Sequence, residues 1–333
     1  MAAIAVTRDS PVRLVPVAID KPWGREIWYS AIERRGESRV VVAGGGGREP
    51  AVGYELPLGE YLDAAGIPQP VILLKVLDPH PQPVRGDLYF EVHEHKREMY
   101  VVTAVDRRAW PDGRGRIRFG MNQELRRRFA GDDEFRAAYL AAVRAYEEIR
   151  RRIDGGEPVA EAEEVRKRAE MDAFTSLKSL HPGDVVVVPA WMPHALQHGT
   201  RVVEFQTAAY ERYIVSFAQK VLTQDHWDSE HAIARLSLDA PGDPDFDDVA
   251  PGVERIASFD DFGVWRAAVG PDRPVSLPSQ ANHVLCMSLE GRIDVGGVVL
   301  GPEEACLIPG SGLDRHRITA NGAARCLIAA PGL

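Results

Sequence analysis

The residues with the clearest capacity for chemistry lie in one short segment, residues 91–98, which reads Glu-Val-His-Glu-His-Lys-Arg-Glu. Alternate side chains of a strand point to the same face, so Glu91, His93 and, if the strand continues, His95 would point together. A tight turn after the strand would bring Glu98, at the start of the next strand, to the same place. Imidazoles and carboxylates gathered in this way bind divalent transition metals.

A second segment, residues 183–194, offers one more ligand. It reads Gly-Asp, then four valines, then Pro189, and it ends in His194. A strand followed by a proline-framed loop can deliver an imidazole to a site built elsewhere in the chain. A mixed nitrogen and oxygen site of this kind suits zinc first, and also iron, manganese, nickel or cobalt. The predicted ligands of one divalent metal are Glu91, His93, Glu98 and His194. For Glu91 the alternative is that it orients another ligand rather than binding the metal itself.

Short strands must position these ligands. β-rich runs, separated by Gly and Pro, occupy residues 70–77, 88–95, 99–105, 185–188, 201–206 and 210–217. Regularly spaced short strands with turn signals between them are typical of a sandwich or barrel. Residues 121–180 break this pattern, because their apolar residues recur at helical spacing among Ala, Glu and Arg. We therefore predict a helical insertion within a β domain.

The rest of the chain predicts a second, smaller β unit. A helix is expected over residues 231–238, and the Pro, Asp and Gly-rich stretch that follows predicts a linker. Strand patterns then return. The predicted organisation is a metal-binding domain of residues 1–120 and 181–238, the insertion of 121–180, the linker of 239–253, and a β domain of 254–333 that lacks a matching ligand set.

Composition narrows the class of protein. The chain has 333 residues, a formal net charge of -9 and 45% hydrophobic residues. The acidic balance argues against a nucleic-acid or membrane partner, and no apolar run reaches the roughly 20 residues of a membrane span. Three cysteines, Cys286, Cys306 and Cys326, fit no zinc-knuckle spacing, and we interpret them as small buried residues. The expected compartment is the cytoplasm.

The two metal segments resemble the signature stretches of the cupin superfamily, His-x4-Glu and then Gly-Asp-x4-Pro-x4-His. Further motifs narrow the resemblance to class I mannose-6-phosphate isomerases. They are the Lys-Pro-Trp-Gly of residues 21–24, the Leu-Leu-Lys-Val-Leu of 73–77, the Glu-Val-His of 91–93, the His-Lys-Arg-Glu-Met of 95–99 and the Pro-x4-His-Ala of 189–195. The resemblance extends over nearly the whole chain, but the motifs that carry it are short and the sequence between them has diverged.

The resemblance implies a mainly β fold of two cupin-type, jelly-roll barrels with a helical insertion in the first. It implies the same four metal ligands, active-site roles for Lys96 and Arg212, and a phosphate contact for Lys220. Substrate-contact positions also fall on Tyr89 and Trp23. The chain departs from the family in four ways. Glu91 stands where the family has Gln, and Tyr89 where it has a phosphate-contacting Ser. The stretch between the two halves of the first motif is much shorter, and the spacing from Glu204 to Arg212 fits the family only loosely.

The implied activity is an aldose–ketose isomerisation of a sugar phosphate pair such as mannose 6-phosphate and fructose 6-phosphate. The reaction moves a proton between adjacent carbons through an enediolate, so it needs a positioned base and a group that neutralises the developing charge. Lys96, His95 and Glu204 are candidate bases, and Arg212 is a candidate for neutralisation. Three alternatives remain open: an isomerase for an unphosphorylated sugar, an iron-dependent oxygenase, and a non-catalytic sugar-binding protein. The oligomeric state is left open between monomer and homodimer.

Overall fold

The computed structural model describes residues 8–33, 36–42, 53–217 and 227–332. The chain is 42% strand and 19% helix, which confirms the predicted mainly β class. Among these residues no helix combines the length and apolar character needed to cross a membrane. The helices are α1 (Leu58–Ala65), α2 (Gln123–Arg126), α3 (Asp132–Asp154), α4 (Glu161–Asp172) and α5 (Ser229–Arg235), with a short 3-10 turn at Gly310–Gly312.

The strands that precede α5 lie in the first two thirds of the chain. In chain order they are β1 (Val12–Val15), β2 (Val17–Lys21), β3 (Gly24–Trp28), β4 (Ile32–Glu33), β5 (Gly36–Glu37), β6 (Arg39–Val42), β7 (Tyr54–Pro57), β8 (Leu73–Pro79), β9 (Phe90–Val92), β10 (Glu98–Val105), β11 (Gly115–Met121), β12 (Thr175–Leu180), β13 (Val185–Val188), β14 (His194–Leu196), β15 (Thr200–Gln206) and β16 (Tyr213–Ser216).

The strands after α5 alternate with short turns to the end of the chain. They are β17 (Asp247–Ala250), β18 (Val253–Ser258), β19 (Phe262–Val269), β20 (Val275–Ser276), β21 (His283–Glu290), β22 (Ile293–Val295), β23 (Val298–Leu300), β24 (Ala305–Pro309), β25 (Arg317–Thr319) and β26 (Ala324–Pro331).

Two antiparallel sheets pack face to face around the predicted metal segments. One has the strand order β13-β10-β15-β8-β3-β2 and the other the order β12-β11-β14-β9-β16. Side chains from both sheets, among them Trp23, Tyr100, Ile117 and Leu196, form one buried apolar cluster between them. Because side chains alternate along a strand, this inner space also receives Glu98, which lies two residues before Tyr100 on β10.

The opposite face of the six-stranded sheet packs on a second layer. Alternate residues of β8, β10 and β15, such as Leu74, Met99 and Phe205, join a large apolar cluster with C-terminal residues such as Leu285 and Leu327. That layer is a nine-stranded sheet of order β17-β18-β19-β26-β21-β24-β1-β6-β7, so three N-terminal strands extend the C-terminal sheet through the pairing of β1 with β24. The division of the chain into domains stays a prediction, and the pairing of β1 with β24 places residues 12–15 beside the C-terminal unit.

The helices cover the outer face of the five-stranded sheet. Phe135, Tyr139 and Val143 of α3 pack with Phe90 and Val215. The predicted insertion of residues 121–180 ends differently in the structure, because α4 stops at Asp172 and residues 175–180 form β12. This segment alternates buried and exposed positions and pairs with β11, a pattern that the preceding helical composition concealed. Residues 239–253, predicted as a linker, contain β17 and the first residue of β18.

The C-terminal unit contains the three cysteines. Cys286 on β21 is opposite Cys306 on β24, and Cys326 lies on the neighbouring β26. All three side chains are fully buried in one apolar cluster, as the sequence predicted.

A buried guanidinium links the layers. Arg201 on β15 donates two hydrogen bonds to Glu303, at 2.9 and 2.6 Å, and its Nη1 lies 2.8 Å from Asp78 of β8. A two-point guanidinium–carboxylate contact is stronger and more directional than a single ion pair.

Arg201→Ala should lower the free energy of unfolding by about 1–3 kcal/mol, because it leaves the partly buried carboxylate of Glu303 without its donor and leaves Asp78 with Arg25 alone. The matched control is Arg108→Ala, which removes an exposed arginine bound to Asp106, and this change should leave stability nearly unchanged. Urea unfolding of the three proteins measures both effects. Equal losses in the two variants would contradict a special role for Arg201.

Candidate metal centre and active site

The four predicted metal ligands come together at one end of the space between the two facing sheets. Glu91 lies on β9, His93 directly follows that strand, and His194 begins β14, which pairs with β9 at Glu91. The ligand atoms of Glu91, His93 and His194 all lie within 4.8 Å of one another. This cluster matches the sequence prediction in its residues, and their function as ligands stays a proposal.

Glu98, the first residue of β10, completes the group. Its Oε1 lies 2.6 Å from Nε2 of His194 and 3.8 Å from Nδ1 of His93. Both histidines are 2% exposed and Glu98 is 1% exposed. A buried carboxylate carries a large desolvation cost unless positive charge compensates it. Here Lys96 Nζ lies 2.7 Å from Oε2, and the hydroxyl of Tyr100 donates to Oε1 at 2.6 Å.

Two imidazole nitrogens indicate that the cluster fits a metal. Nδ1 of His93 and Nε2 of His194 are buried and have no hydrogen-bond partner. Nδ1 of His194 lies 2.9 Å from the carbonyl of Met192, which assigns the ring proton to Nδ1 and leaves the lone pair on Nε2. Oε1 of Glu98 lies close to this Nε2, but the two atoms do not have the geometry of a hydrogen bond. Two imidazoles and two carboxylates around such nitrogens form a donor set for zinc or a similar divalent ion.

Glu91 is held as a carboxylate by its surroundings. Burial alone would raise its pKa, but the hydrogen bond with His93 and the positive charges of Lys96 and Arg212 lower the pKa to about 2. Nε2 of His93 lies 3.1 Å from Oε1, and Nε of Arg212 lies 3.7 Å from Oε2. Each of the two candidate ligand carboxylates therefore has a cation of its own.

Three further charged residues extend the site along the six-stranded sheet. Lys75 on β8 contacts Glu204 on β15 at 3.0 Å and Glu26 on β3 at 3.9 Å. Burial raises the pKa of Glu204 to about 7. The positive charge of Lys75 lowers this pKa, and the negative charges of Glu98 and Glu26 offset part of that lowering. Burial alone would lower the pKa of Lys75, but the facing carboxylates raise it.

Sequence reasoning named Glu204 but missed Lys75 and Glu26. A signal for Lys75 was present, since a lysine in the middle of the apolar run of residues 70–77 must find a buried partner. Glu26 gave no comparable signal. Its side chain enters the site because β3 pairs with β8 in a register that places Glu26 opposite Leu77.

Two adjoining cavities of about 50 and 70 Å³ form one cleft at the cluster. Residues common to both are Glu26, Lys75, Glu91, Lys96 and Arg212. The cleft is therefore charged along its length, with three of the four candidate metal ligands, Glu91, Glu98 and His194, in its wall.

The remaining predicted site residues differ in whether they line the cleft. Trp23 is 1% exposed and lines the cleft, and the Arg212 guanidinium lies 4.8 Å above the ring of Tyr89. The His95 side chain is 81% exposed and is not part of the cleft lining. Lys220 lies outside the described residues.

The packed antiparallel sheets have the cupin-type fold, and the His and Glu cluster lies at strand ends within it. This fold class was predicted from the sequence and is confirmed by comparison with solved structures. No protein-family model matches the chain, and no curated protein matches it in sequence.

The fold is that of solved mannose 6-phosphate isomerases. The Bacillus subtilis enzyme aligns over 96% of this chain and 99% of its own, with a TM-score of 0.64 and 16% identity. A zinc-bound mannose 6-phosphate isomerase aligns over 97% and 100%, with a TM-score of 0.69 and 13% identity. A point mutant of phosphomannose isomerase from Salmonella typhimurium has the same coverage, a TM-score of 0.70 and 12% identity. At these identities the similarity establishes the shared fold, and the chemistry must be argued from the site.

Elemental analysis of the purified protein should find about one equivalent of divalent metal per chain, with zinc first among the candidates. His194→Ala should abolish this binding, because it removes a buried ligand nitrogen. His181→Ala, which changes a half-exposed histidine beside Asp184, is the matched control and should retain the metal. Equal metal content in both variants would contradict the site.

Proposed function

We propose that the protein is a metal-dependent aldose–ketose isomerase that acts on a sugar phosphate such as mannose 6-phosphate. The observation that supports this most directly is the cluster of Glu91, His93, Glu98 and His194. It has two unpartnered imidazole nitrogens, and three of its members line a charged cleft. The shared fold with mannose 6-phosphate isomerases is consistent with it. The same cluster would hold the metal in this chain.

A divalent ion bound there would supply a Lewis acid that polarises the substrate's oxygens. The chain's own residues would do the rest. Arg212 borders the cleft with a guanidinium that already faces Glu91, so it can face an enediolate oxygen as well. Lys96 offers an ammonium group on the other side, beside Glu98. Fixed positive groups aimed at the developing charge lower the barrier to its formation.

The isomerisation also needs a group that takes a proton from one carbon and returns it to the next. Among the candidate bases, Glu204 lines the cleft and has a pKa of about 7, which suits proton transfer at neutral pH. The hydrogen-bonded Lys75 fixes the orientation of its carboxylate. The exposed His95 is less favourably placed. We therefore assign the proton transfer to Glu204.

The metal-loaded protein should interconvert mannose 6-phosphate and fructose 6-phosphate. In D₂O it should incorporate deuterium at C1 of fructose 6-phosphate and at C2 of mannose 6-phosphate, because an enediolate exchanges its proton with solvent through the base. Coupled assays and NMR measure the two effects. The His194→Ala protein serves as the negative control. Absence of turnover across a panel of aldose phosphates would exclude this function.

An unphosphorylated sugar is the second candidate, and a specific observation favours it. Within the described part of the cleft each cation already faces a carboxylate within 4 Å. The pairs are Lys21 with Glu26, Lys75 with Glu204, Lys96 with Glu98, and Arg212 with Glu91. A phosphate would compete with these carboxylates. Mannose, fructose and lyxose assayed beside the phosphates separate the two candidates, and bound iron with oxygen uptake would instead favour an oxygenase.

The pH dependence tests the role of Glu204. A base acts when deprotonated, so kcat should rise with pH and level off above about 7, the raised pKa of this carboxyl. Glu204→Gln should lower kcat by roughly 10²–10⁴-fold and remove that rise. Glu254→Gln, which changes a carboxylate bound to Arg266 on the surface of β18, should keep the wild-type profile. A Glu204→Gln enzyme with an unchanged profile would show that another group is the base.

A further inference from the structure

Glu211 is a carboxylate outside the predicted site residues, in the segment between β15 and β16. Its two oxygens accept hydrogen bonds from three consecutive backbone N–H groups. Oε1 lies 2.5 Å from the amide nitrogen of Glu94, and Oε2 lies 2.9 Å from those of His95 and Lys96. Successive amides that converge on one anion form a strong charge-assisted contact.

The three amides belong to the turn that joins the two halves of the metal cluster. His93 precedes the turn, and Glu98 follows it. The carbonyl side of the turn is held separately, since Arg97 donates to the carbonyls of Glu94 and His95 at 3.0 and 2.8 Å. Among the described residues, Glu211 is the side chain that holds the amide side over three positions.

The residue after Glu211 contacts the other half of the cluster. Arg212 approaches Glu91 on β9, while Glu211 holds the turn that leads to Lys96 and Glu98. Two adjacent residues of one segment therefore contact both β9 and the turn that leads into β10. The backbone amide of Lys96 is fixed directly, and its ammonium lies 2.7 Å from Glu98.

We propose that Glu211 is a positioning residue of this site, which fixes the turn so that Glu98 and Lys96 reach the metal cluster and the cleft. The part that concerns turnover rests on the proposed isomerase function, and the part that concerns metal affinity does not. A carboxylate is required because it offers two acceptor oxygens. A glutamine would offer one oxygen and turn its own N–H groups toward the backbone amides.

Glu211→Gln keeps the size of the side chain and tests this requirement. Zinc affinity, measured by competition with a chromophoric chelator, should weaken by roughly 10–100-fold, as for other residues that orient metal ligands. If the enzyme is active, kcat should fall more than KM rises, because the change displaces groups rather than removing a substrate contact. Loss of this contact should also lower the unfolding temperature of the metal-free protein, so zinc affinity is compared at a temperature where both proteins are folded.

Two comparison variants complete the experiment. Glu211→Asp keeps both oxygens on a shorter arm and should weaken zinc binding less than Glu211→Gln does. Glu94→Gln removes a half-exposed carboxylate from the same turn without touching the three amides, and it should bind zinc as the wild type does. The order wild type, Asp, Gln in zinc affinity supports the proposal, whether or not any sugar is turned over.

Wild-type zinc affinity in both the Gln and Asp variants would overturn the proposal. If Glu211→Gln does not fold, the Asp variant decides, and an Asp protein with unchanged zinc affinity overturns the proposal by itself. If the wild-type protein binds zinc but isomerises no sugar, the proposed function is wrong. The zinc affinities of the variants then decide this inference by themselves.

Discussion

Pairing of buried charge is the constraint on which the cleft depends. Four carboxylates, those of Glu26, Glu91, Glu98 and Glu204, lie in a space from which water is largely excluded, and isolated ions there would be prohibitively costly. Each faces a lysine or an arginine from another strand or from the adjoining turn. Because removing one member would leave its partner buried and unpaired, the cations and carboxylates must be kept together.

The sheet makes this charged layer compatible with a stable protein. Along β10, Glu98 and Tyr100 face the cleft while Met99 and Val101 join the apolar cluster shared with the C-terminal layer. The same alternation separates Lys75 from Leu74 and Val76 on β8, and β15 follows the same rule. One strand thus contributes polar side chains to the site and apolar ones to the core. A shift of register by one residue would exchange the two faces, so the packing of the apolar layer fixes the position of the charged one.

The sequence predicted the candidate ligands because their signal is local. His-x4-Glu and the proline-framed loop before His194 are short patterns in which spacing alone suggests convergence. Glu26 and Glu211 could not be found in this way, since their roles come from pairing between strands and turns that are remote in sequence. The pairing of β1 with β24 is likewise invisible to a pass along the chain. His95 illustrates the opposite error, because strand alternation was extended past Val92, where β9 ends.

The distribution of charge also indicates whether the cleft is better suited to the reacting carbons of a substrate or to a phosphate group. Each of the four cations that line the cleft, Lys21, Lys75, Lys96 and Arg212, faces one of the four carboxylates, and Glu33 and Glu211 add further negative charge to the lining. A bound divalent ion would therefore add positive charge at the His and Glu cluster that no cation of the chain supplies. An anion that develops there during isomerisation would meet that charge, whereas a phosphate farther along the described cleft would meet cations already engaged. The electrostatics of this chain thus support chemistry at the cluster more directly than recognition of a phosphate.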